Sequence, residues 1–390
     1  MSNRTDLIYF DNAATTWPKP AVVVEEMMRA VNEYGGNPGR SGHRLSIRAT
    51  EEIYSCREAI CRLFGSEHPE NVVFTCSDTM ALNLAIKALV KCGYHILISN
   101  MEHNSVVRPV SALEQIGVSY SIFNVFPDGS EARVLASMKE ALKPETRMVI
   151  ASHRSNICGM TLPIEAMGRF CREHGLIFIV DAAQSAGVLP LDIERIGADV
   201  ICAPGHKGLY GPQGSGFALF SAKYTGNVSE LLDTYVEGGN GVDSLDPMMP
   251  RYLPERYEAG TLATPCIAGM RRGIEFVCER GLEEIESCES ALYRRLRDLL
   301  CNTRRIKVYL PQAERSSVLL FNAAGCTAGE LAGALDRRGI CVRSGFHCSP
   351  LAHRALGTGT DGALRVSFSA FNSVQEVDMF YRALREILFK

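Results

Sequence analysis

The sequence predicts an α/β protein: a large, mostly parallel seven-stranded sheet flanked by helices, followed by a smaller α/β region towards the C-terminus. Three observations predict it. Between Asn71 and Phe220, short β-rich runs alternate with helical patterns, the signature of βαβ units and a parallel sheet. Polar residues cluster directly after these runs, where ligands of such sheets bind. After about Gly273 the pattern changes to one long helical segment and a second, shorter set of strands.

The elements follow in order. NVVFT (71–75) reads as a strand, and the stretch from Asp78 as a helix closed by Gly93. HILIS (95–99) is a strand followed by a helix from Ser105 to Gly117. VSYSIFN (118–124) precedes a helix over Ser130–Lys143, and RMVIAS (147–152) precedes one over Ile164–His174. LIFIVDA (176–182), DVICA (199–203) and GFALF (216–220) complete the seven strands. Beyond them, EFVCERGLEEIESCESALYRRLRDLL reads as one helical segment, and VLLFN (318–322), ICVRSG (340–345) and ALRVSFS (363–369) as strands. The 390 residues suffice for two domains. The reading assigns 18–273 to the large one, and 1–17 with 274–390 to the small one.

Composition narrows the function classes. Apolar residues make up 46% and charged residues 22%, the balance of an ordinary globular protein. A formal net charge of −3 offers no electrostatic case for a nucleic-acid or anionic-membrane partner. The N-terminus MSNRTDLIYFDNAATT lacks an apolar core of signal-peptide length, and no run approaches the roughly 20 apolar residues of a membrane span. The expectation is a cytoplasmic protein with reduced thiols. None of the 14 cysteines forms a C-x-x-C pair, which argues against a zinc or iron–sulfur site, and no metal is expected.

The residues after the strands carry the chemistry. Cys76-Ser77-Asp78-Thr79 opens a helix, caps it and offers free backbone N–H groups to an anion. His103 follows the second strand and Asn156 the fourth. Asp181 ends the fifth, where a buried carboxylate needs a cation or a cap. The sixth leads into ICAPGHKGLYGPQGSG, in which Lys207 is the one charged residue among Gly205, Gly208, Gly211, Gly214 and Gly216. Each feature alone reads as ordinary capping; five in succession put an anion site, a histidine, an amide, a carboxylate and a lysine on one sheet edge. Pyridoxal 5′-phosphate chemistry needs this set: a lysine for the Schiff base, an acid facing the pyridinium nitrogen and a cradle for the phosphate. Small neighbours of the lysine are read as room for the aldehyde carbon. A P-loop is excluded, because Lys207 is followed by Gly208.

Y-F-D-N-A-A-T-T, M-E-H-N, H-R-S-N, V-D-A-A-Q-S-A-G, G-H-K-G and E-A-G-T stand in the order typical of class V, aminotransferase-like pyridoxal phosphate enzymes of fold type I. R-S-G-F-H-C-S-P resembles the cysteine desulfurases. The resemblance runs from Tyr9 to Asn372. It implies that Lys207 carries the Schiff base, Asp181 pairs with the pyridinium nitrogen and Gln184 bonds the phenolic oxygen. It implies that His103 stacks on the cofactor ring and moves protons. Thr79, the backbone around Ser77 and Asp78, and His206 hold the phosphate, completed by Thr261 from the second copy of a homodimer. Asn156 and Arg365 bind the substrate carboxylate, Arg365 by a bidentate pair. Arg40 and His43 line the pocket near the dimer contact. Two positions depart from the family pattern: Pro204 replaces a hydroxyl residue that bonds phosphate, and Met80 replaces an acidic residue. Both suggest a side branch of the family.

Cys348 follows a strand of the small region, beside His347 and near Gly345 and Pro350. The other 13 cysteines read as structural thiols; this one reads as the nucleophile. The implied reaction converts L-cysteine to L-alanine and leaves sulfur as a persulfide on Cys348, for transfer to an acceptor protein or small thiol. His347 reads as structural, since adjacent residues of an extended chain point apart. Arg365 lies 17 positions after Cys348, similar to the short-loop, group II desulfurases, which implies slow turnover without an acceptor. The rival readings are a selenocysteine lyase, an aminotransferase or other β-lyase, and, last, a non-enzymatic sulfur-relay protein.

Overall fold

The computed structural model describes residues 7–39, 41–228, 232–310 and 312–389. In chain order the first part contains β1 (Ile8–Tyr9), α1 (Ala21–Asn32), α2 (Arg44–Phe64), β2 (Val72–Thr75), α3 (Asp78–Leu89), β3 (His95–Ser99), α4 (Asn104–Ala112), β4 (Ser119–Phe123), α5 (Glu131–Ala141), β5 (Thr146–Ser152), α6 (Ile164–Glu173), β6 (Ile177–Asp181), α7 (Ile193–Ile196), β7 (Val200–Pro204) and β8 (Gly216–Phe220). The second part contains α8 (Thr264–Arg280), α9 (Leu282–Cys301), β9 (Ile306–Tyr309), β10 (Val318–Ala323), α10 (Ala328–Asp336), β11 (Ile340–Cys341), β12 (Arg343–Gly345), α11 (Pro350–Leu356), β13 (Ala363–Ser367) and α12 (Val374–Leu388).

The strands β2 to β8 form one seven-stranded sheet in the order β2-β8-β7-β6-β5-β3-β4. The pairs from β7 through β6, β5 and β3 to β4 are parallel; β8 alone runs against its neighbours. Its reversal has a local cause. The connection from β7 to β8 is the glycine-rich loop around Lys207, with no crossover helix to return the chain to its starting edge.

Helices cover both faces, so strand residues are buried alternately on either side. Leu97, Val149, Phe178, Val180 and Ile201 join one apolar cluster; Ile96, Ile98, Ile150, Ile179 and Val200 join the other. A third cluster is built on the antiparallel sheet β12-β13-β10-β9 and on α9, α10 and α12. The N-terminal arm enters this cluster. Ile8 and Tyr9 pair in parallel with Ile340 and Cys341, and the Phe10 ring meets those of Phe368 and Phe380 at 5.1 and 5.8 Å.

Several local expectations need correction. The helical segment over 275–300 is two helices, because Gly281 at φ +84° ends α8 and α9 restarts at Leu282. The strand expected over 340–345 is split: β11 pairs with β1, whereas β12 pairs with β13. The helix expected to reach Gly117 stops at Ala112 and tightens into a 3-10 turn over Leu113–Ile116. The amphipathic helices α1 and α2 and the edge strand β9 had no assignment from sequence. Among the described residues no helix is long and apolar enough to cross a membrane, and no cluster of His, Cys, Asp or Glu could hold a metal ion.

The carboxyl ends of β2, β3, β5, β6 and β7 meet at one edge, and two turns there press on each other. A Cβ on Gly187, at φ +80°, would lie 2.1 Å from the carbonyl oxygen of Gly208, next to Lys207. Gly187→Ala is therefore expected to lower the unfolding free energy by more than about 1 kcal/mol, read from urea denaturation. An unchanged midpoint would show that the turns can separate freely.

Candidate active site

A cavity opens at this edge, lined by Ser77, Asp78, Thr79, His103, Asn156, Asp181, Gln184, Pro204, His206 and Lys207 among others. Nearly all residues expected from the strand ends thus converge on one space. Lys207 projects from the loop after β7. Packing around its amine pushes its pKa below the usual lysine range, opposed by the charges of Asp78 and Asp181. The amine therefore gives up its proton more readily than a surface lysine. Asp181, the last residue of β6, accepts from the Ala183 amide at 2.8 Å and from the Ser152 hydroxyl at 3.4 Å. Burial raises its pKa, while those hydrogen bonds and Lys207 favour the ionised form.

The glycines around Lys207 serve the protein's own packing rather than the approach of a ligand. A Cβ on Gly208 would meet the Ala186 carbonyl oxygen at 2.3 Å, and one on Gly205 would meet Ser215 Oγ at 2.2 Å. The loop is closed by Gly211 N–H donating to the Gly205 carbonyl at 2.7 Å and Tyr210 N–H to that of Lys207 at 2.9 Å.

His103 is the N-cap of α4, and its Nδ1 accepts from the Ser105 amide at 3.1 Å. Nδ1 is thereby an acceptor, and Nε2 carries the proton. Burial, with the charge of Lys207, pushes its pKa down to about 4, so the ring is neutral at pH 7. Thr79 joins this group through Ser105, with 2.8 Å between the hydroxyls. Ser77 caps α3 by accepting from the Met80 amide at 3.3 Å. His206 keeps its ring nitrogen Nδ1 buried without a partner. Its carbonyl gathers the N-terminal segment, accepting from the Thr16 amide at 3.1 Å and Lys19 Nζ at 2.7 Å. Gln184 Nε2 donates to the Ala13 carbonyl at 2.9 Å, which leaves its second N–H for a ligand.

The expected carboxylate site is arranged differently. Arg365 is buried on β13, and it donates to Asp11 Oδ1 at 2.7 Å and to the Asn156 carbonyl at 2.9 Å. Asp11 occupies the guanidinium where a substrate carboxylate was expected. The Asn156 side chain is also engaged: Nδ2 donates to the His347 carbonyl at 2.9 Å, and Oδ1 accepts from Ser349 Oγ at 2.7 Å. Asn156 thus holds the loop that carries Cys348. The Asn104 amide, beside His103, donates to the Cys348 carbonyl at 2.8 Å. Cys348 is exposed, and His347 and Cys348 are both left-handed, at φ +49° and +56°.

His347 is a structural residue. Its Nε2 faces the Arg343 carbonyl at 3.3 Å, its Nδ1 faces His353 Nε2 at 3.1 Å, and the two rings stack. Burial pushes its pKa down to about 2, so it carries no charge that could favour a thiolate at neutral pH.

Arg365 and the Cys348 loop do not line this cavity but adjoin it through Asn156, and three further expected residues lie apart from it or beyond the described chain. His43 is exposed and caps α2, accepting from the Ser46 amide at 3.3 Å. Thr261 is exposed and does not line the cavity. Arg40 lies outside the described residues. Sequence reasoning missed Asp11, Ser105 and Ser349, whose short polar side chains carry no signal until the fold brings them together. It also missed Glu102, which lies inside M-E-H-N. The Glu102 carboxylate accepts from the Ser152 amide and hydroxyl, each at 2.9 Å, and so ties the ends of β3 and β5.

The family model for class-V aminotransferases matches residues 8–380. The chain belongs to the class-V aminotransferase family. Class-V aminotransferases use pyridoxal phosphate, which fits the donor set around Lys207. The chain is 31% identical over 387 residues to a probable cysteine desulfurase of Methanothermobacter thermautotrophicus, covering 98% of this chain and 95% of that protein. It is 32% identical over 394 residues to a probable cysteine desulfurase of Mycolicibacterium paratuberculosis, but spans 56% of that longer protein. Among solved structures, the apo cysteine desulfurase of Thermococcus onnurineus superposes with a TM-score of 0.89 at 30% identity, covering 98% of this chain and 95% of that one.

A neutral His347 makes a specific prediction for this class-V enzyme. Its ordinary pKa of 6.5 falls to about 2 on burial, so it stays uncharged from pH 5 to 9. The pH dependence of iodoacetamide alkylation at Cys348, followed by peptide mass spectrometry, is expected to be the same in wild type and His347→Gln. A displaced profile would make His347 an electrostatic partner of the thiol.

Proposed function

We propose that the protein is a pyridoxal phosphate-dependent cysteine desulfurase that converts L-cysteine to L-alanine and holds the sulfur as a persulfide on Cys348. One observation carries this reading. The Cys348 loop is docked, through Asn104 and Asn156, on the rim of the cavity that holds Lys207 and Asp181.

The cavity fits the cofactor. Lys207 is a buried amine, Asp181 a buried acid, and the N-terminus of α3 an anion site, and the unpartnered buried Nδ1 of His206 awaits a ligand. Lys207 would hold the cofactor with Asp181, Gln184, Thr79 and His206. When bound it supplies an electron sink that makes the substrate Cα–H acidic.

The chain's own groups do the rest. Lys207, with its pKa lowered by burial, takes the Cα proton as an amine and returns it as an ammonium. The Cys348 thiolate forms an S–S bond to the substrate sulfur as the Cβ–S bond breaks. The electron pair of that bond goes to Cβ, which is protonated to the methyl group of alanine. The product on the enzyme is a persulfide, passed on by thiol exchange to an acceptor protein or small thiol. For the substrate carboxylate, Arg365 must exchange Asp11 for the incoming group, or use its unpartnered Nε.

The same reading divides the chain into a large domain over 18–273 and a small domain over 1–17 and 274–390; one apolar cluster is built from Ile8, Phe10 and residues from Leu292 onward, while Tyr309, Leu310, Leu320, Ala352 and Ala363 of the small domain pack into the cluster of the large one. It also makes the protein a homodimer. Thr261 is exposed outside its own cavity, and the neighbouring groove is lined by Gly260, Leu262 and the half-exposed ring of Tyr54.

The test is alanine release from L-cysteine with added reductant. Wild type is expected to release alanine, and Cys348→Ala to lose at least about 100-fold in rate. Lys207→Ala is expected to lose the visible absorbance of bound cofactor. Alanine from both wild type and Cys348→Ala would demote Cys348 and favour another β-lyase substrate. An unchanged Lys207→Ala spectrum would remove the lysine assignment.

A further inference from the structure

The first turn of α3 holds a group that the proposed reaction does not use. Asp78 is the first residue of that helix, 8% exposed, and one of the residues that line the cavity. Its Oδ1 is buried without a hydrogen-bond partner. The groups that face it are few. Lys207, from the loop after β7, and Asp181, on β6, are the charged ones, and the Cys202 thiol of β7 also feels its charge. The α4 side offers Ser105 and the neutral ring of His103. On the β2 side, the Thr75 hydroxyl donates to the Ser77 carbonyl at 2.9 Å. The β8 side offers only backbone: a Cβ on Gly216 would lie 3.0 Å from the Asp78 amide nitrogen.

Asp78 therefore stands where an anion would bind, as an acceptor-only group when ionised. A phosphoryl dianion and a carboxylate sharing one helix turn would repel each other in a poorly solvated site. Asp78 has little access to solvent at 8% exposure, and the N–H groups of α3 draw the phosphoryl group to the same helix turn. A protonated carboxyl removes the conflict and turns the same oxygen into a donor.

We propose that Asp78 binds the phosphoryl group of the cofactor as a neutral acid, donating its O–H to a phosphoryl oxygen, so that loading the site takes up one proton. This rests on the cofactor reading above. The proton comes from solvent, no covalent bond of the phosphoryl group changes, and nothing is oxidised or reduced. Burial and the neighbouring Asp181 already hold the Asp78 carboxyl well above the usual carboxylate range before any ligand arrives, with Lys207 opposing. A bound phosphoryl group raises it further. Between the two values each unit of rising pH weakens phosphoryl binding about tenfold, because one proton must accompany the ligand.

The test compares pyridoxal 5′-phosphate with pyridoxal, which forms the same Schiff base but lacks the phosphoryl group. Dissociation constants for the full chain are measured from pH 7 to 9.5, where free phosphate esters are already dianions and add no slope of their own. Calorimetry in two buffers of different ionisation enthalpy counts the protons. The expected result is an affinity ratio, phosphate over pyridoxal, that falls about tenfold per pH unit over part of this range, with about one extra proton taken up. In Asp78→Asn the ratio is expected to be flat and above wild type at pH 9. A flat ratio and equal proton counts in wild type would overturn the proposal, and the wild-type calorimetry decides even if the variant fails to fold. A slope retained in Asp78→Asn would assign the proton to His206 and overturn it as well. Equal affinity for both compounds at every pH would remove the phosphoryl site from α3 and leave the cofactor reading intact; no binding of either compound would end both.

Discussion

One amine between two buried carboxylates sets the terms for the rest of this structure. Lys207, Asp78 and Asp181 share a cavity at the edge of the seven-stranded sheet; the amine and each acid shift one another's titration, and Asp181 raises that of Asp78. Burial alone would strip the charge from all three. Mutual attraction between the amine and the acids restores part of it, and hydrogen bonds from Ala183 and Ser152 hold Asp181 in place. The pocket thus keeps an amine that releases its proton more easily than a surface lysine beside an acid whose ionised form Lys207, Ala183 and Ser152 favour against burial. That combination is hard to sustain in water, where both groups would sit at their ordinary values.

Maintaining it requires a closed wall, and the wall comes from distant parts of the chain. The N-terminal segment is drawn onto the carbonyl of His206 by Thr16 and Lys19, and onto Gln184 through Ala13. A few residues earlier, Asp11 takes Arg365, and Ile8 and Phe10 enter the core of the second part. A short stretch of chain therefore fastens the lysine loop to the sheet that carries Cys348. The Asp11–Arg365 pair is buried at the arginine and solvent-accessible at the aspartate, which makes it an exchangeable contact rather than a fixed strut.

The Cys348 loop is held on its active-site side by polar contacts. Asn156 and Asn104 grip its backbone, while the paired rings of His347 and His353 fill the space beneath. Two successive residues in the left-handed region store strain at the thiol, of the order of 1–2 kcal/mol each, and the surrounding contacts must over-determine it. The arrangement leaves Cys348 exposed on a loop tied to Asn156, which lines the cavity, while keeping its neighbour neutral. Reach and reactivity are thereby separated: the hydrogen bonds set the first, and solvent exposure the second.

The sequence by itself determined the strands of the large sheet, the edge at which the functional groups meet, and the identity of most of them. Those signals are local: β-rich runs alternate with helical ones, and a polar residue just after a parallel strand can only lie at its carboxyl end. The tertiary structure decided what local pattern cannot encode. That Asp11 stands on Arg365 and that Asn156 holds the cysteine loop depend on residues 354 and 191 positions apart; that His347 is a stacked and neutral ring, and that the glycines around Lys207 make room for Ala186 and Ser215, depend on how the chain turns back on itself. Asp78 shows the division most clearly. As a letter before a helix it reads as an ordinary first-turn acid; only burial beside Asp181, with an oxygen left unpartnered, makes its protonation state a question about ligand binding.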